Sequence, residues 1–433
     1  MHFTQRAYVL LMLTAVLAVS GIWSSDPGFS DLWRIPAMLL LAGLAYEGFF
    51  IRKAQLTADI ETAPRAFLGR EQAGAYAFHN ASARALSVEY APVVPVGVEP
   101  IGTTTRKVVT PAGGVERDPF TLLAFRLGPQ PWPVVPARLL GPLGLSWWSR
   151  DLQPSLQVAV APDTLSTSRG RPRGNPAGVR PRRVIGAGSE LHQLRGYAPG
   201  DAPARIDWKA TARARRLVTR EFSEDQHLDV LVAIDAGRFS RTRAGRLDRF
   251  GLYANVAARF AQIVTPNDDR IGMIVFADRP LAVCAPDRGL PAVMRIRSTL
   301  EQLSVQPAES DPLAAAIRIR GMLKHRSLVV LLTDLDDASV AGQLVRAVRL
   351  LAPPHLVVVA GVHSPEISAL ADSEAQDWKD PWISLAAQEH QARAQSQRAL
   401  LRGLGAPVIA APEELLEKRV LAEYESLRRS RRI

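Results

Sequence analysis

The sequence predicts an α/β protein in which a doubly wound, mainly parallel sheet follows a small β-sandwich and an N-terminal two-helix transmembrane hairpin. Three observations lead to this prediction. Two apolar runs occupy residues 7–23 and 32–50, and short β-rich runs broken by Pro and Gly then continue to residue 163. Beyond residue 228, apolar strands alternate with runs of helical periodicity. Strands that alternate with helices are typical of a parallel sheet covered on both faces.

The two apolar runs are separated only by the turn-rich sequence SSDPGFSD. The first run alone is short enough to be a signal-peptide core, but the second run favours a pair of membrane-spanning helices. Arg34 lies near one end of the second run and Glu47 near the other. We expect Glu47 to be an interfacial carboxylate rather than a buried functional acid.

The charges around the apolar runs predict an orientation. His2 and Arg6 precede the first run, Arg52 and Lys53 follow the second, and the connecting loop carries only acids. By the positive-inside rule, both ends then face the cytoplasm. The sequence therefore predicts a two-pass protein of the inner (cytoplasmic) membrane whose N-terminus and main domains are cytoplasmic.

The composition along the chain predicts four segments. Residues 1–54 hold the two helices, residues 55–163 form a β-sandwich-like domain, residues 164–183 form a basic flexible linker, and residues 184–433 form the α/β domain. Within residues 55–163, the pair Trp147-Trp148 is expected to pack in the sandwich, with a partner-binding patch or a membrane-surface anchor as the alternatives.

The net charge of +11 raises anionic lipid and nucleic acid as partners. Many of the arginines lie in residues 164–183, where neither a recognition fold nor interleaved aromatic residues are visible. We therefore expect a solvated linker near anionic lipid and no specific nucleic acid. The alternative, an arginine-rich nucleic-acid binder, predicts salt-dependent binding that is lost when these residues are deleted. A single cysteine, Cys284, excludes an internal disulfide.

A stretch rich in charged and aromatic residues precedes the first strand of the α/β domain. The sequence PGD at residues 199–201 predicts a chain reversal. The alternation in RIDWK, residues 205–209, predicts a half-buried strand with Ile206 and Trp208 on one face. We therefore expect a buried Trp208 within a cluster of ion pairs and stacked side chains.

Several residues of this stretch have spacings that resemble a known family. They are Glu190, Arg195, Tyr197, Gly200, Asp201, Arg205, Asp207, Trp208, Lys209 and Arg213. Together with a strand that ends in D-x-G, they resemble the bacterial DUF58 family over roughly Arg182 to Thr333. The resemblance implies a C-terminal part similar to a von Willebrand factor A domain. It also implies a membrane-anchored protein that works beside a MoxR-type AAA+ ATPase.

The resemblance implies a site at the carboxyl edge of the sheet. A von Willebrand A domain holds a divalent cation there with a D-x-S-x-S loop, a hydroxyl from a second loop and an aspartate from a third. Asp235 and Asp334 match the two acids, since each ends a predicted buried strand. Ser310 or Asp311 lies where the second-loop hydroxyl is expected, although Asp311 before a proline also reads as a helix N-cap.

The first loop departs from the pattern of the resemblance. Gly237 and Phe239 occupy the two serine positions, and Ser240 comes one step late. Two oxygen ligands are therefore missing for Mg²⁺, a hard ion that prefers oxygen. A weak Mg²⁺ site made by Asp235, Ser240, Ser310 and Asp334 stays open, but an acidic surface for protein contact is favoured.

Known catalytic patterns are missing from the sequence. It holds no Walker A loop, no G-x-S-x-G elbow, no H-E-x-x-H and no Cys/His metal spacing. We therefore assign no catalytic residues and expect a protein-interaction adaptor. Its partners would be the lipid bilayer and a MoxR-like AAA+ ATPase or that ATPase's client. The motif residues then form a structural brace or a docking surface. A metal-dependent hydrolase using the strand-end acids is the enzyme alternative.

Overall fold

A computed structural model describes residues 1–23, 27–101, 105–163, 184–186, 190–224, 228–267, 269–363, 365–374 and 376–429. The chain divides into two compact units. The first holds residues 1–163, 246–251 and 300–304, and the second holds residues 164–245, 252–299 and 305–433. The predicted linker at residues 164–183 lies outside the described residues.

The first unit begins with two long apolar helices. The helices are α1 (Gln5–Ile22), the short α2 (Pro27–Ser30) and α3 (Arg34–Lys53). Among the described residues, α1 and the segment Gly28–Lys53 are long and apolar enough to cross a membrane. Large apolar side chains on both helices are exposed. Exposed apolar surface of this extent is typical of a membrane-associated segment, as the sequence predicts.

The rest of the first unit is built from β-strands. The strands are β1 (His2–Phe3), β2 (Leu56–Thr62), β3 (Arg65–Phe67), β4 (Glu71–Asn80), β5 (Leu86–Tyr90), β6 (Val98–Ile101), β7 (Arg106–Thr110), β8 (Val115–Ala124), β9 (Gly128–Pro131), β10 (Val135–Leu140), β11 (Ser146–Leu152) and β12 (Gln157–Ala161). They form sheets of order β1-β11-β10-β5-β7, β2-β4-β8-β6 and β3-β12-β9.

The two larger sheets pack face to face around aromatic side chains. Tyr76 and Phe78 lie on β4, and their ring centroids lie 5.2 and 4.7 Å from that of Tyr90 on β5. Phe120 and Trp132 extend the same cluster. Because alternate residues of a strand point to one face, each of these strands sends its large rings into one shared core.

The position of Glu47 differs from the prediction. Glu47 is fully buried, not interfacial. Its carboxylate accepts hydrogen bonds from the backbone N–H groups of Leu143, Leu145 and Ser146 at 3.1, 2.8 and 3.0 Å. The prediction was wrong because it considered only the residues around Glu47 in α3, whereas the covering loop lies about a hundred residues further along the chain.

The second unit has mixed α/β structure. Its strands are β13 (Val184–Gly186), β14 (Glu190–Gly196), β15 (Val218–Glu224), β16 (Asp229–Asp235), β17 (Arg243–Ala244), β19 (Arg270–Phe276), β20 (Pro280–Asp287), β21 (Ser327–Leu332), β22 (Leu356–Val362) and β23 (Val408–Ala411). The two-residue strand β18 (Leu247–Asp248) belongs to the first unit. Its helices are α4 (Trp208–Ala214), α5 (Arg249–Val264), α6 (Gly289–Leu300), α7 (Pro312–Met322), α8 (Ala338–Leu351), α9 (Pro365–Ala371), α10 (Asp380–Gly403) and α11 (Glu413–Arg429).

The main sheet of the second unit has the order β20-β19-β16-β21-β22-β23. Its edge strand β20 is antiparallel to β19, and the other pairs are parallel. Within this sheet the strands therefore follow the doubly wound order 3-2-1-4-5-6. All six residues of β21 are buried, as expected for a central parallel strand. The predicted mixed α/β fold with a mainly parallel sheet is confirmed.

One predicted helix is divided in two. The sequence pattern predicts a single long helix over roughly residues 366–403, but α9 ends at Ala371 and α10 begins at Asp380. Pro381 lies in the first turn of α10. A proline disfavours helical geometry at the residue before it and suits a helix start, so the position of Pro381 explains where α10 begins.

Candidate functional site

The strand-end acids lie where the main sheet reverses its strand order. β16 pairs with β19 on one side and with β21 on the other. Asp235 is the last residue of β16, and Thr333 and Asp334 follow β21 directly. Open α/β sheets bind ligands at such a point because the connections diverge and leave a crevice at the carboxyl ends of the strands. The sequence predicted that Asp235 and Asp334 each end a buried strand, and in the structure the two strands are neighbours.

The carboxylate of Asp235 is enclosed by donors from its own chain. Oδ1 accepts from the Gly237 N–H at 2.9 Å and from the Ser310 hydroxyl at 2.5 Å. Oδ2 accepts from the Thr333 hydroxyl at 2.6 Å. Asp235 is 3% exposed. Burial raises the pKa of Asp235 and outweighs these hydrogen bonds, which lower it.

The other predicted ligands contribute unequally. The Ser240 hydroxyl donates to the backbone carbonyl of Asp235 at 2.9 Å, so Ser240 stabilises the loop backbone and does not contact the carboxylate. Asp334 is half-buried, and its Oδ1 accepts from the Asp336 N–H at 2.9 Å. The negative charge of Asp334 further raises the pKa of Asp235, which shows that the two acids are close enough to interact.

The space around Gly237 shows how poorly this site suits Mg²⁺. A Cβ atom at Gly237 would lie only 2.1 Å from Oγ of Ser310. The hydroxyl of Ser310 therefore fills the space that a serine in the D-x-S position would need. Among the described residues, no group of three or more His, Cys, Asp or Glu side chains could hold a metal ion. The donors present fit Mg²⁺ poorly, which favours the acidic surface for protein contact over the weak Mg²⁺ site that the sequence leaves open.

Arg238 places a positive charge in the loop that follows Asp235, and the structure locates that charge. The guanidinium pairs with the Glu309 carboxylate at 2.8 Å, and both side chains are largely exposed. It also lies over the ring of Phe239, 4.8 Å from the centroid. The positive charge of Arg238 is thus compensated by a surface acid.

Sequence reasoning missed Thr333. Thr333 is buried and is the second side-chain donor to Asp235. The available signal was its place directly before Asp334, at the end of a buried strand. The helix cap predicted at Asp311 is confirmed, since its carboxylate accepts from the N–H groups of Leu313 and Ala314. Asp337 caps α8 in the same way by accepting from the Ser339 N–H.

A polar cavity beyond β21 and β22 was also missed. It has a volume of about 260 Å³, and its lining includes Asp336, His363, His390 and Arg398. Asp336 lies just before α8, and its carboxylate pairs with Arg398 at 2.8 Å; both side chains are largely buried. The sequence signal for this cavity was a polar residue shortly after the end of each strand, Asp336 after β21 and His363 after β22.

The motif residues form a network on the three-stranded sheet β13-β15-β14. The Arg195 guanidinium donates to both carboxylate oxygens of Asp201 at 2.8 and 2.7 Å, and it also pairs with Glu221. The hydrogen bond from Arg195 lowers the pKa of Asp201. Asp201 also accepts from the Ala198 N–H at 2.9 Å, and Gly200 has φ of 109°. The chain turns at residues 199–201, as the sequence predicts.

The expected burial of Trp208 is wrong. Trp208 is 67% exposed and is the first residue of α4, whereas Ile206 is buried. Asp207 caps the helix by accepting from the Ala210 N–H at 2.9 Å. The half-buried strand predicted over residues 205–209 is therefore absent from this described segment. Because the backbone changes from extended to helical at Asp207, residues two apart no longer share a face.

Most other motif residues are also on the surface. Tyr197 is exposed, and so are the basic side chains that flank the tryptophan. We define the Trp208 surface as Arg205, Trp208, Lys209 and Arg213. The side chain of Glu190 lies outside the described residues. The motif thus divides into a partly buried network around Arg195 and an exposed, basic, aromatic surface.

Comparison with known proteins bears on the same stretch. The model of a family described as "Protein of unknown function DUF58" matches residues 193–400. Residues 193–400 are a DUF58 region. The predicted family resemblance is confirmed. The DUF58 region includes the Arg195 network, the Trp208 surface and the whole strand-end site, and it extends further toward the C-terminus than the residues that first indicated it.

Several proteins are similar to this chain. Uncharacterized proteins of Mycobacterium bovis and Mycobacterium tuberculosis are 24% identical over 247 residues, which is 52% of this chain and 75% of theirs. The conserved hypothetical protein BatB from Bacteroides thetaiotaomicron has a TM-score of 0.33 at 14% identity, covering 47% of this chain and 99% of that one. An aerotolerance-related membrane protein from Bacteroides fragilis has a TM-score of 0.27 at 14% identity, covering 41% and 98%.

Proposed function

We propose that the chain is a membrane-anchored adaptor that presents its DUF58 region to another protein. The exposure of Trp208 carries this proposal. Trp208 is 67% exposed, and the basic side chains that flank it in sequence are exposed as well. Tryptophan and arginine are enriched among the residues that dominate protein interfaces. The Trp208 surface combines both residue types within nine residues of the chain.

The main sheet supports the proposal that the second unit is a degenerate von Willebrand A-like domain. Its order is 3-2-1-4-5-6, its antiparallel strand lies at an edge, and helices connect its parallel strands. In a domain that has lost its metal site, the acid at the strand end would stabilise the fold. The three internal donors to Asp235 favour this role over metal-dependent hydrolysis, because a substrate would have to displace them. We accordingly propose a binding function without catalysis.

The anchor would be the two apolar helices, placed in the inner membrane as a two-pass hairpin. The basic residues Arg52 and Lys53 end α3, and they favour a cytoplasmic location for the chain that follows. The partner would be a MoxR-like AAA+ ATPase or its client, in the assembly or maturation of other proteins. The positive charge of the Trp208 surface suits an acidic segment on that partner.

The test is affinity co-purification of the tagged, detergent-solubilised full chain from its own cells. Three forms are compared: wild type, Trp208→Ala, and Trp378→Ala, which removes another exposed tryptophan of the second unit. We expect an AAA+ ATPase of the MoxR class, or its client, with wild type and Trp378→Ala but not with Trp208→Ala. Equal recovery with Trp208→Ala would show that the docking surface is wrong. If wild type recovers neither protein, the proposed partner is wrong.

A further inference from the structure

The loop that encloses Glu47 connects β10 to β11 and has the sequence GPLGL at residues 141–145. Gly141 N–H donates to the Ser146 carbonyl at 3.0 Å, and Gly144 N–H donates to the Gly141 carbonyl at 2.9 Å. The remaining N–H groups, of Leu143, Leu145 and Ser146, all donate to Glu47. Since proline has none, every backbone N–H from residue 141 to 146 is bonded within the protein.

The carbonyl side of the loop is bonded to the start of α1. The Thr4 N–H donates to the Leu145 carbonyl at 2.9 Å, and the Thr4 hydroxyl donates to the Gly144 carbonyl at 2.6 Å. β1 extends this attachment, since His2 pairs with Trp147. A loop whose polar backbone groups are satisfied internally can leave water at little cost, which is the condition for non-helical backbone at membrane depth.

The apolar side chains of the loop have two environments. Leu145 is buried in a cluster with Ala7 of α1 and Leu40 of α3. Leu143, at the tip, is 47% exposed. Both leucines therefore lie beside the two helices that are apolar enough to cross a membrane.

One face of the part of α3 that follows Leu40 is covered by the first unit's strands, whereas Leu41 and Phe49 remain exposed. This part runs to Lys53 and is about 20 Å long at the usual helical rise. A Cβ atom at Gly48 would touch the Trp148 ring at 3.0 Å, and Arg150 donates to the Ala54 carbonyl at 2.6 Å. Glu47 is therefore buried by protein, on the face of α3 that the strands cover.

We propose that the loop at residues 141–146 is a lipid-contact element that seats the β-sandwich on the bilayer crossed by α1 and α3. Leu143 enters the boundary between headgroups and acyl chains, and Glu47 holds the loop by accepting its otherwise unpaired N–H groups. Arg6, whose guanidinium lies 3.4 Å from the Leu143 carbonyl, marks this boundary, where a long basic side chain can reach the headgroups. The inference rests on the proposed membrane hairpin.

The test places single cysteines in the full chain, in a Cys284→Ala background, and labels them with an environment-sensitive fluorophore. The protein is reconstituted in phosphatidylcholine–phosphatidylglycerol vesicles with or without lipids brominated near the headgroup end of the acyl chain. Leu143→Cys reports on the loop. Val16→Cys, 55% exposed in the middle of α1, reports on the hairpin. Val96→Cys, 80% exposed, is the water control. Val96 follows β5 in the chain. Just after β5, the Ala91 N–H donates to the Pro136 carbonyl at the start of β10, the end of that strand that lies away from the loop.

We expect brominated lipid to quench the label at residue 143 and aqueous iodide to leave it protected, with the reverse at residue 96. If residue 16 reports lipid while residue 143 behaves like residue 96, the lipid-contact loop is wrong and the membrane hairpin stands. If residue 16 also reports water, the hairpin is wrong and the inference falls with it. Adding Glu47→Gln should shift the label at residue 143 toward water and leave residue 16 unchanged. An unaltered signal at residue 143 would overturn the role of Glu47.

Discussion

The hydroxyl of Thr333 donates to Oδ2 of Asp235 at 2.6 Å, across a separation of 98 residues in sequence. Ser310 donates to the other carboxylate oxygen. Asp235 is thus bonded to two separate parts of the second unit, the segment that follows β21 and the segment that precedes α7. This arrangement stabilises the carboxyl edge of the sheet at the point where its strand order reverses.

Thr333→Val should lower the stability of the second unit. Valine has nearly the shape of threonine, but it leaves Oδ2 of a buried carboxylate without its hydroxyl donor. Leaving a buried polar atom unpaired costs about 1–3 kcal/mol. Thermal denaturation followed by circular dichroism measures the loss. Thr333→Ser keeps the hydroxyl and is the matched control, so an equal loss in both variants would attribute the effect to packing.

Asp235→Asn should change how stability depends on pH. Burial raises the pKa of Asp235 above its ordinary value of 3.8, so the folded state holds this proton more tightly than the unfolded state. By linkage, the stability that Asp235 contributes is fully present below pH 3.8 and is lost as pH rises through the raised pKa. Asparagine does not titrate in this range, so Asp235→Asn removes this loss of stability with rising pH. Melting temperatures of both forms, measured from pH 3.8 upward, should therefore differ by an amount that changes with pH.

The control for this pH dependence is Asp278→Asn, because Asp278 is exposed. Its melting temperature should follow that of wild type at every pH. If Asp235→Asn also parallels wild type over the whole range, Asp235 has the same pKa in both states and its burial has been misjudged.

Trp208→Ala should leave the fold almost unaffected. Substitutions of exposed residues usually change stability by less than about 0.5 kcal/mol, and Trp208 is exposed. Phe260→Ala, at a fully buried position of α5, should instead cost about 3–5 kcal/mol because it leaves a cavity. Urea denaturation of the two variants makes the comparison. A loss at Trp208 as large as that at Phe260 would place the tryptophan in the core.

The sequence predicted the main sheet well because its strands are buried on both faces. Such strands read as continuous apolar runs, and β16 and β21 have this pattern. The same pattern located Asp235 and Asp334, since carboxyl ends of neighbouring parallel strands share one edge. What could not be predicted was the set of partners. Thr333 and Glu47 bond groups about a hundred residues away, and a local pattern carries no information on such contacts.

Trp208 shows a different limit. Five alternating residues are too few to separate a strand from the approach to a helix, because both periodicities fit them. The deciding signal was Asp207, an N-cap residue type followed by the helix formers Lys209 and Ala210. Because α4 begins at Trp208, this side chain is exposed. The family motif could be recognised from the sequence, whereas its division into a partly buried network and an exposed surface could not.

Gly237→Ser tests why the strand-end site lacks a D-x-S loop. The new Cβ would lie 2.1 Å from Oγ of Ser310, so either Ser310 or the loop must move, and overpacking of this kind costs about 1–3 kcal/mol. Combining Gly237→Ser with Ser310→Gly removes the clashing hydroxyl and should recover part of the stability. Melting temperatures are measured with EDTA and with Mg²⁺. We expect no effect of Mg²⁺ on wild type, because the oxygens around Asp235 are engaged with one another. A rise that grows with Mg²⁺ concentration would instead establish binding to the folded state.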